Sequence, residues 1–66
     1  MNKYAAIAAA KRAARKDPTN EYYAIFDPCM IELKGRKKAY TYCNGFDLDT
    51  FYAGTPAAHI IYCTEE

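Results

Sequence analysis

The chain changes character at Asp17-Pro18, and this break constrains the fold more than any other feature. Before it, the run KYAAIAAAKRAARK is rich in alanine, the strongest helix former, and Asn2 stands where an N-cap belongs. At about 100° per residue, Ala6, Ile7, Ala10, Ala13 and Ala14 share one arc. Lys11, Arg12, Arg15 and Lys16 lie on the other side, in the last turn and a half, where they suit the negative end of the helix dipole. A stripe made of alanine is buried only by close approach, so this helix calls for an aromatic-rich partner. Asp17-Pro18 ends it, because the residue before a proline is driven out of helical geometry.

Beyond Pro18 the composition turns to tyrosine, phenylalanine and β-branched residues, which favour strands. Residues 21–27 (EYYAIFD), 29–34 (CMIELK) and 38–43 (KAYTYC) read as three strands, separated by Asp27-Pro28 and by a turn at 34–37. Asn44-Gly45 between alternating segments predicts a two-residue type I′ hairpin. The run at 57–63 (AAHIIYC) reads as a further strand, although Thr55-Pro56 is also a helix-opening pair. The expected fold is therefore α+β. One domain over 1–66 places the N-terminal helix on an antiparallel meander of four to five short strands. A chain this short buries only about 60% of its unfolded surface, which leaves no room for a deep two-layer cleft.

The hairpin reading orders the residues around 47–49. Across an Asn-Gly turn, Tyr42 opposes Asp47, Tyr40 opposes Asp49 and Lys38 opposes Phe51. Tyr40, Tyr42, Asp47, Asp49 and Phe51 then share one half-polar face, with the carboxylates about 7 Å apart. Ala39, Thr41, Cys43, Phe46, Leu48 and Thr50 form the other, the expected partner of the alanine stripe. FDLDT resembles the first motif of haloacid-dehalogenase-type phosphatases, which implies a nucleophilic first Asp and an acid/base second. The chain departs from that pattern in three respects. A turn precedes Asp47, no Gly follows Asp49, and too few residues remain for the Rossmann-like core. The phosphatase reading is rejected on those grounds, and the pair has too few ligands for a tight Mg²⁺ or Ca²⁺ site.

No catalytic residue, cofactor or metal is expected. Cys29, Cys43, His59 and Cys63 could be drawn as a Cys₃His zinc set, but the spacing lacks a close cysteine pair. Three cysteines, an odd number, are read as reduced thiols in a cytoplasmic protein. Met1–Lys16 has the basic, acid-poor composition of a mitochondrial presequence, yet its loss would leave too little chain to fold, so it is read as a structural helix. Apolar runs are too short to span a membrane.

Charge is unevenly spread. The nine Lys and Arg residues all lie at or before Lys38, whereas Asp47, Asp49, Glu65 and Glu66 follow it. Lys11, Arg12, Arg15 and Lys16, joined by Arg36, Lys37 and Lys38 on the 34–38 turn, are candidate contacts for phosphate or an acidic partner. Tyr40, Tyr42, Asp47, Asp49 and Phe51 are candidate contacts for a protein. If the 34–37 turn has two central residues, Ile31 and Leu33 join that face and call for a covering partner, a target or another subunit. The expected function is a non-enzymatic interaction protein that occludes a macromolecular target. Its size suits a phage or mobile-element accessory protein, an inhibitor of a host protein or nucleoprotein complex in the host cytoplasm. The alternative is a small RNA- or DNA-binding protein using the basic residues.

Overall fold

The computed structural model describes residues 1–64. Glu65 and Glu66, part of the acidic C-terminal charge noted above, lie outside the described residues.

Helix α1 spans Lys3–Lys16. Asn2 caps it as expected, its side-chain oxygen accepting from the Ala5 N–H at 2.7 Å. At the other end the Asp17 N–H donates to the Ala13 carbonyl at 2.9 Å. Ala6, Ala9 and Ala10 are buried, while Ile7, Ala13 and Ala14 are half-buried at the margin of the contact.

Three strands form one antiparallel sheet: β1 (Tyr22–Phe26), β2 (Tyr40–Asn44) and β3 (Ile60–Cys63), in the order β2-β1-β3. Ala24 stands opposite Tyr42 on one side and Tyr62 on the other. A bulge between Ala24 and Ile25 shifts the β1–β3 register. α1 lies across β1 and β2. Lys11 of α1, and Asp17 just past its end, contact residues on the Ala24 side of the sheet. Lys11 Nζ is 5.3 Å from the Tyr62 ring centroid, and the Tyr22 hydroxyl donates to Asp17 Oδ2 at 3.3 Å. Ala24 is fully buried, a low point flanked by tyrosines that only small helix residues can enter. Tyr52 approaches Thr41 and Cys43 on the opposite side, where Ile25 is also buried.

The sheet has fewer strands than the four to five expected, and the reason is capping chemistry. Residues 29–34, expected to be a strand, form a 3₁₀ turn (Pro28–Met30) leading into the short helix α2 (Ile31–Lys34). Asp27 starts it by accepting from the Cys29 N–H at 3.0 Å, with Pro28 in the first turn where its missing N–H costs nothing. Gly35, at φ 78°, closes α2 and leads into a second 3₁₀ turn, Arg36–Lys38, which is therefore no hairpin tip.

The Asn44-Gly45 hairpin does not form either. Asn44 has extended geometry (φ −84°, ψ 174°) and caps helix α3, Gly45–Thr50, by accepting from the Asp47 N–H at 2.7 Å. Asp47, Asp49 and Phe51 thus leave the sheet for this helix and its C-cap. The segment at 57–63 combines both signals seen there, a 3₁₀ turn over Ala57–His59 followed by β3.

Candidate interaction surfaces

The five residues expected to form one Tyr–Asp face are divided by this fold. Tyr40 is half-buried, its ring packed edge-on against Phe26 at 5.3 Å between centroids. Tyr42 is partly exposed on edge strand β2, on the side that α1 occupies rather than on a free face. The expected role of Thr41 and Cys43 as partners of the alanine stripe is reversed accordingly. Tyr–Asp proximity survives in another form. Tyr22, Tyr42, Asp17 and Asp47 share one neighbourhood, and desolvation followed by the Asp17 charge raises the Tyr22 hydroxyl pKa.

α3 and its C-cap carry two of the exposed large apolar side chains, beside Tyr4 on α1 and Leu33 on α2. Phe46, Asp49 and Thr50 follow i, i+3, i+4 spacing and all point to solvent, while Leu48 is half-buried. Phe46 is 73% exposed and Phe51, at the C-cap, is 81% exposed. Burying a phenylalanine is worth roughly 1.5–3 kcal/mol, so each ring leaves most of that gain unrealised in the isolated chain. The helix holding them is fixed at its start by the Asn44–Asp47 bond, and the Thr50 hydroxyl donates back to the Phe46 carbonyl at 3.0 Å. Phe46 was assigned to the buried face on hairpin parity. Its exposure is legible only through the alternative motif, an Asn N-cap followed by an acid in the first turn, which is a helix-start signal.

The basic residues fall into two groups at different heights along α1. Tyr40 donates its N–H to the Met1 carbonyl at 3.2 Å, which sets the helix start beside the Arg36–Lys38 turn. Lys11, Arg12, Arg15 and Lys16 sit farther along, about 10–20 Å from that start. They do not converge with Arg36, Lys37 and Lys38 as a single clasp. Among the described residues, the side chains of Arg12, Arg15, Lys16, Arg36, Lys37 and Lys38 have no hydrogen-bond or ion-pair partner.

An open cleft of about 320 Å³ lies between the β1 end and the segment after α3, lined among others by Asp27, Cys29, Phe51, Tyr52 and His59. Cys29 and His59 both line it, but Cys43 does not and is buried, its thiol pushed up to about 11 by burial and then by Asp47. Among the described residues no group of three His, Cys, Asp or Glu side chains is placed to hold a metal ion. The His59 ring packs edge-on against Phe26 at 5.4 Å. No helix among the described residues is long and apolar enough to cross a membrane. No protein-family model, curated protein or solved structure matches this chain.

Proposed function

We propose that this chain is a non-enzymatic interaction module that covers a surface of a macromolecular partner, with α3 as its principal contact. The observation that supports it is the exposed Phe46 ring on a capped helix that also displays Asp49, with a second exposed ring, Phe51, at the helix's C-cap. Aromatic side chains concentrate binding energy at interfaces, and here they are positioned before any partner arrives. The complementary partner presents an apolar pocket rimmed by Lys or Arg. Small size and high aromatic content fit an accessory or inhibitory protein of a phage or mobile element, acting on a host protein or nucleoprotein complex in the host cytoplasm.

A tagged pull-down from nuclease-treated lysate, comparing the native chain with Phe46→Ser/Phe51→Ser, tests the reading. A protein retained by the native chain and lost by the variant supports it. A partner held equally by both would remove α3 from the contact. Sedimentation of the purified chain adds a further outcome. A dimer abolished by the same substitutions would make the occupant a second copy, against a foreign target.

A further inference from the structure

The outward arc of α1 carries more than charge. Tyr4 is 79% exposed, and its ring projects from the same side of the helix as the cations. On an ideal helix it lies within about 20° of both Lys11 and Arg15, some 10 Å below Lys11. Arg12, about 80° round from Tyr4, and Lys16, about 120° round, extend the arc to the flank of the helix, all four cations being exposed. Asp17, the acid nearest in sequence, has its carboxylate occupied by Thr19 Oγ1 at 2.7 Å, Asn20 Nδ2 at 2.6 Å and the Tyr22 hydroxyl. Lys11 is laid against the Tyr62 ring, which orients it without cancelling its charge.

We propose that this arc binds single-stranded nucleic acid, with Lys11, Arg12, Arg15 and Lys16 on successive phosphates and Tyr4 stacked on an unpaired base. Cations tracking a backbone beside an exposed ring are the combination that single strands require. Duplex is disfavoured because its base faces are closed to Tyr4. An anionic membrane is disfavoured because an interfacial helix needs a bulky apolar face, whereas the apolar side of α1 is alanine buried against the sheet. Tyr40 and Tyr42 lie on β2 rather than on α1, and Tyr40 is packed edge-on against Phe26, so Tyr4 is the ring that accompanies the cations. Phe46 and Phe51 are not part of this arc, so the proposal stands whether or not those rings bind a protein.

The test is fluorescence anisotropy of a labelled oligothymidylate titrated with the full chain at about 50 and about 200 mM salt. The native chain is expected to bind with a salt slope near 0.7 per phosphate contacted, and Arg12→Gln/Arg15→Gln to lower that slope by about 1.4. Tyr4→Ala should weaken binding by roughly five- to hundred-fold with the slope unchanged, and Tyr4→Phe should retain affinity. Circular dichroism confirms that each variant keeps its helix. Absence of binding at the lower salt overturns the proposal. So does equal affinity for blunt duplex with no dependence on Tyr4, or preferential uptake on phosphatidylserine vesicles. Phe46→Ser/Phe51→Ser should leave oligothymidylate binding intact, which separates the two surfaces.

Discussion

Asn44 Oδ1 accepts the Asp47 N–H at 2.7 Å, and that bond turns the chain out of β2 and into α3. The sequence pattern instead places Asn44 in a two-residue hairpin turn with Gly45, and Asp47 opposite Tyr42 on the neighbouring strand. An asparagine before glycine serves either purpose. It tolerates the left-handed geometry of a type I′ turn, and it caps a helix in extended geometry. The acid three residues on makes the second use consistent, since an Asp in the first turn is favoured by the helix dipole.

Gly45 distinguishes the two geometries directly. A type I′ turn needs positive φ there, whereas in α3 its φ is not positive and an added Cβ meets nothing within 4 Å. Gly45→Ala is therefore expected to raise stability by about 0.4–1 kcal/mol, through the smaller entropy of the unfolded chain. Urea denaturation measures it. A clear loss of stability would restore the hairpin.

Removing the cap itself should act in the opposite direction. Asn44→Ala is expected to cost about 1 kcal/mol, and Asn44→Ser to recover most of it. In a domain this small that corresponds to a fall in Tm of about 4–8 °C. An unchanged melting curve for Asn44→Ala would mean that the bond does not anchor α3.

The close approach of α1 to the sheet depends on Ala24, which is fully buried between the two tyrosine-bearing strands. Ala24→Leu is expected to cost about 1–3 kcal/mol by overpacking, despite the gain in hydrophobicity. Ile25→Ala, on the other side of the same strand, should cost about 2–5 kcal/mol by leaving a cavity. Thermal unfolding followed by circular dichroism checks both. A stabilised Ala24→Leu would show that α1 does not rest there.

Asp17 gives a pH dependence of defined sign. Hydrogen bonds from Asn20 and then Thr19 lower its pKa below the ordinary value. Its contribution is present above the unfolded carboxylate value of about 3.9 and is lost as pH falls through the lower folded value. Urea midpoints recorded from about pH 5 down to about pH 2 should drop less steeply in Asp17→Asn. Parallel curves for the two proteins would count against the bonds.

Thiol reactivity should follow burial. Cys29 is exposed, whereas Cys43 is buried with its thiol pushed up to about 11. Near neutral pH, iodoacetamide is expected to label Cys29 in the native state and Cys43 only after unfolding. Peptide mass mapping over time reads this out. Equal rates at the two positions would contradict the placement of Cys43.

Much of the frame was legible in the residues. The Ala-rich run, the Asn2 cap and the Asp17-Pro18 stop act within a few residues, so α1 followed from local chemistry. The aromatic runs at β1 and β2 were legible for the same reason. The stretch at 29–34 was misread because its short apolar alternation looks like a strand, while Asp27 and Pro28 are a helix start of equal standing. Of the surfaces, the basic arc could be read from helical spacing, but the contribution of Tyr4 to it went unnoticed. The exposure of Phe46 could not be reached while Asn44-Gly45 was read as a turn.

By itself, the sequence determined where α1 forms, where it stops, and on which arc of it the cations lie. These depend on neighbours within one or two turns. Only the tertiary structure decided that α1 would settle on the Ala24 side, with Tyr42 and Tyr62 flanking, rather than on Thr41 and Cys43. It also resolved Asn44 as a cap, carrying Phe46, Asp49 and Phe51 off the sheet into solvent. The physical reason is that both choices were locally balanced. Packing around Ala24 and one side-chain hydrogen bond, each requiring the folded chain, tipped them.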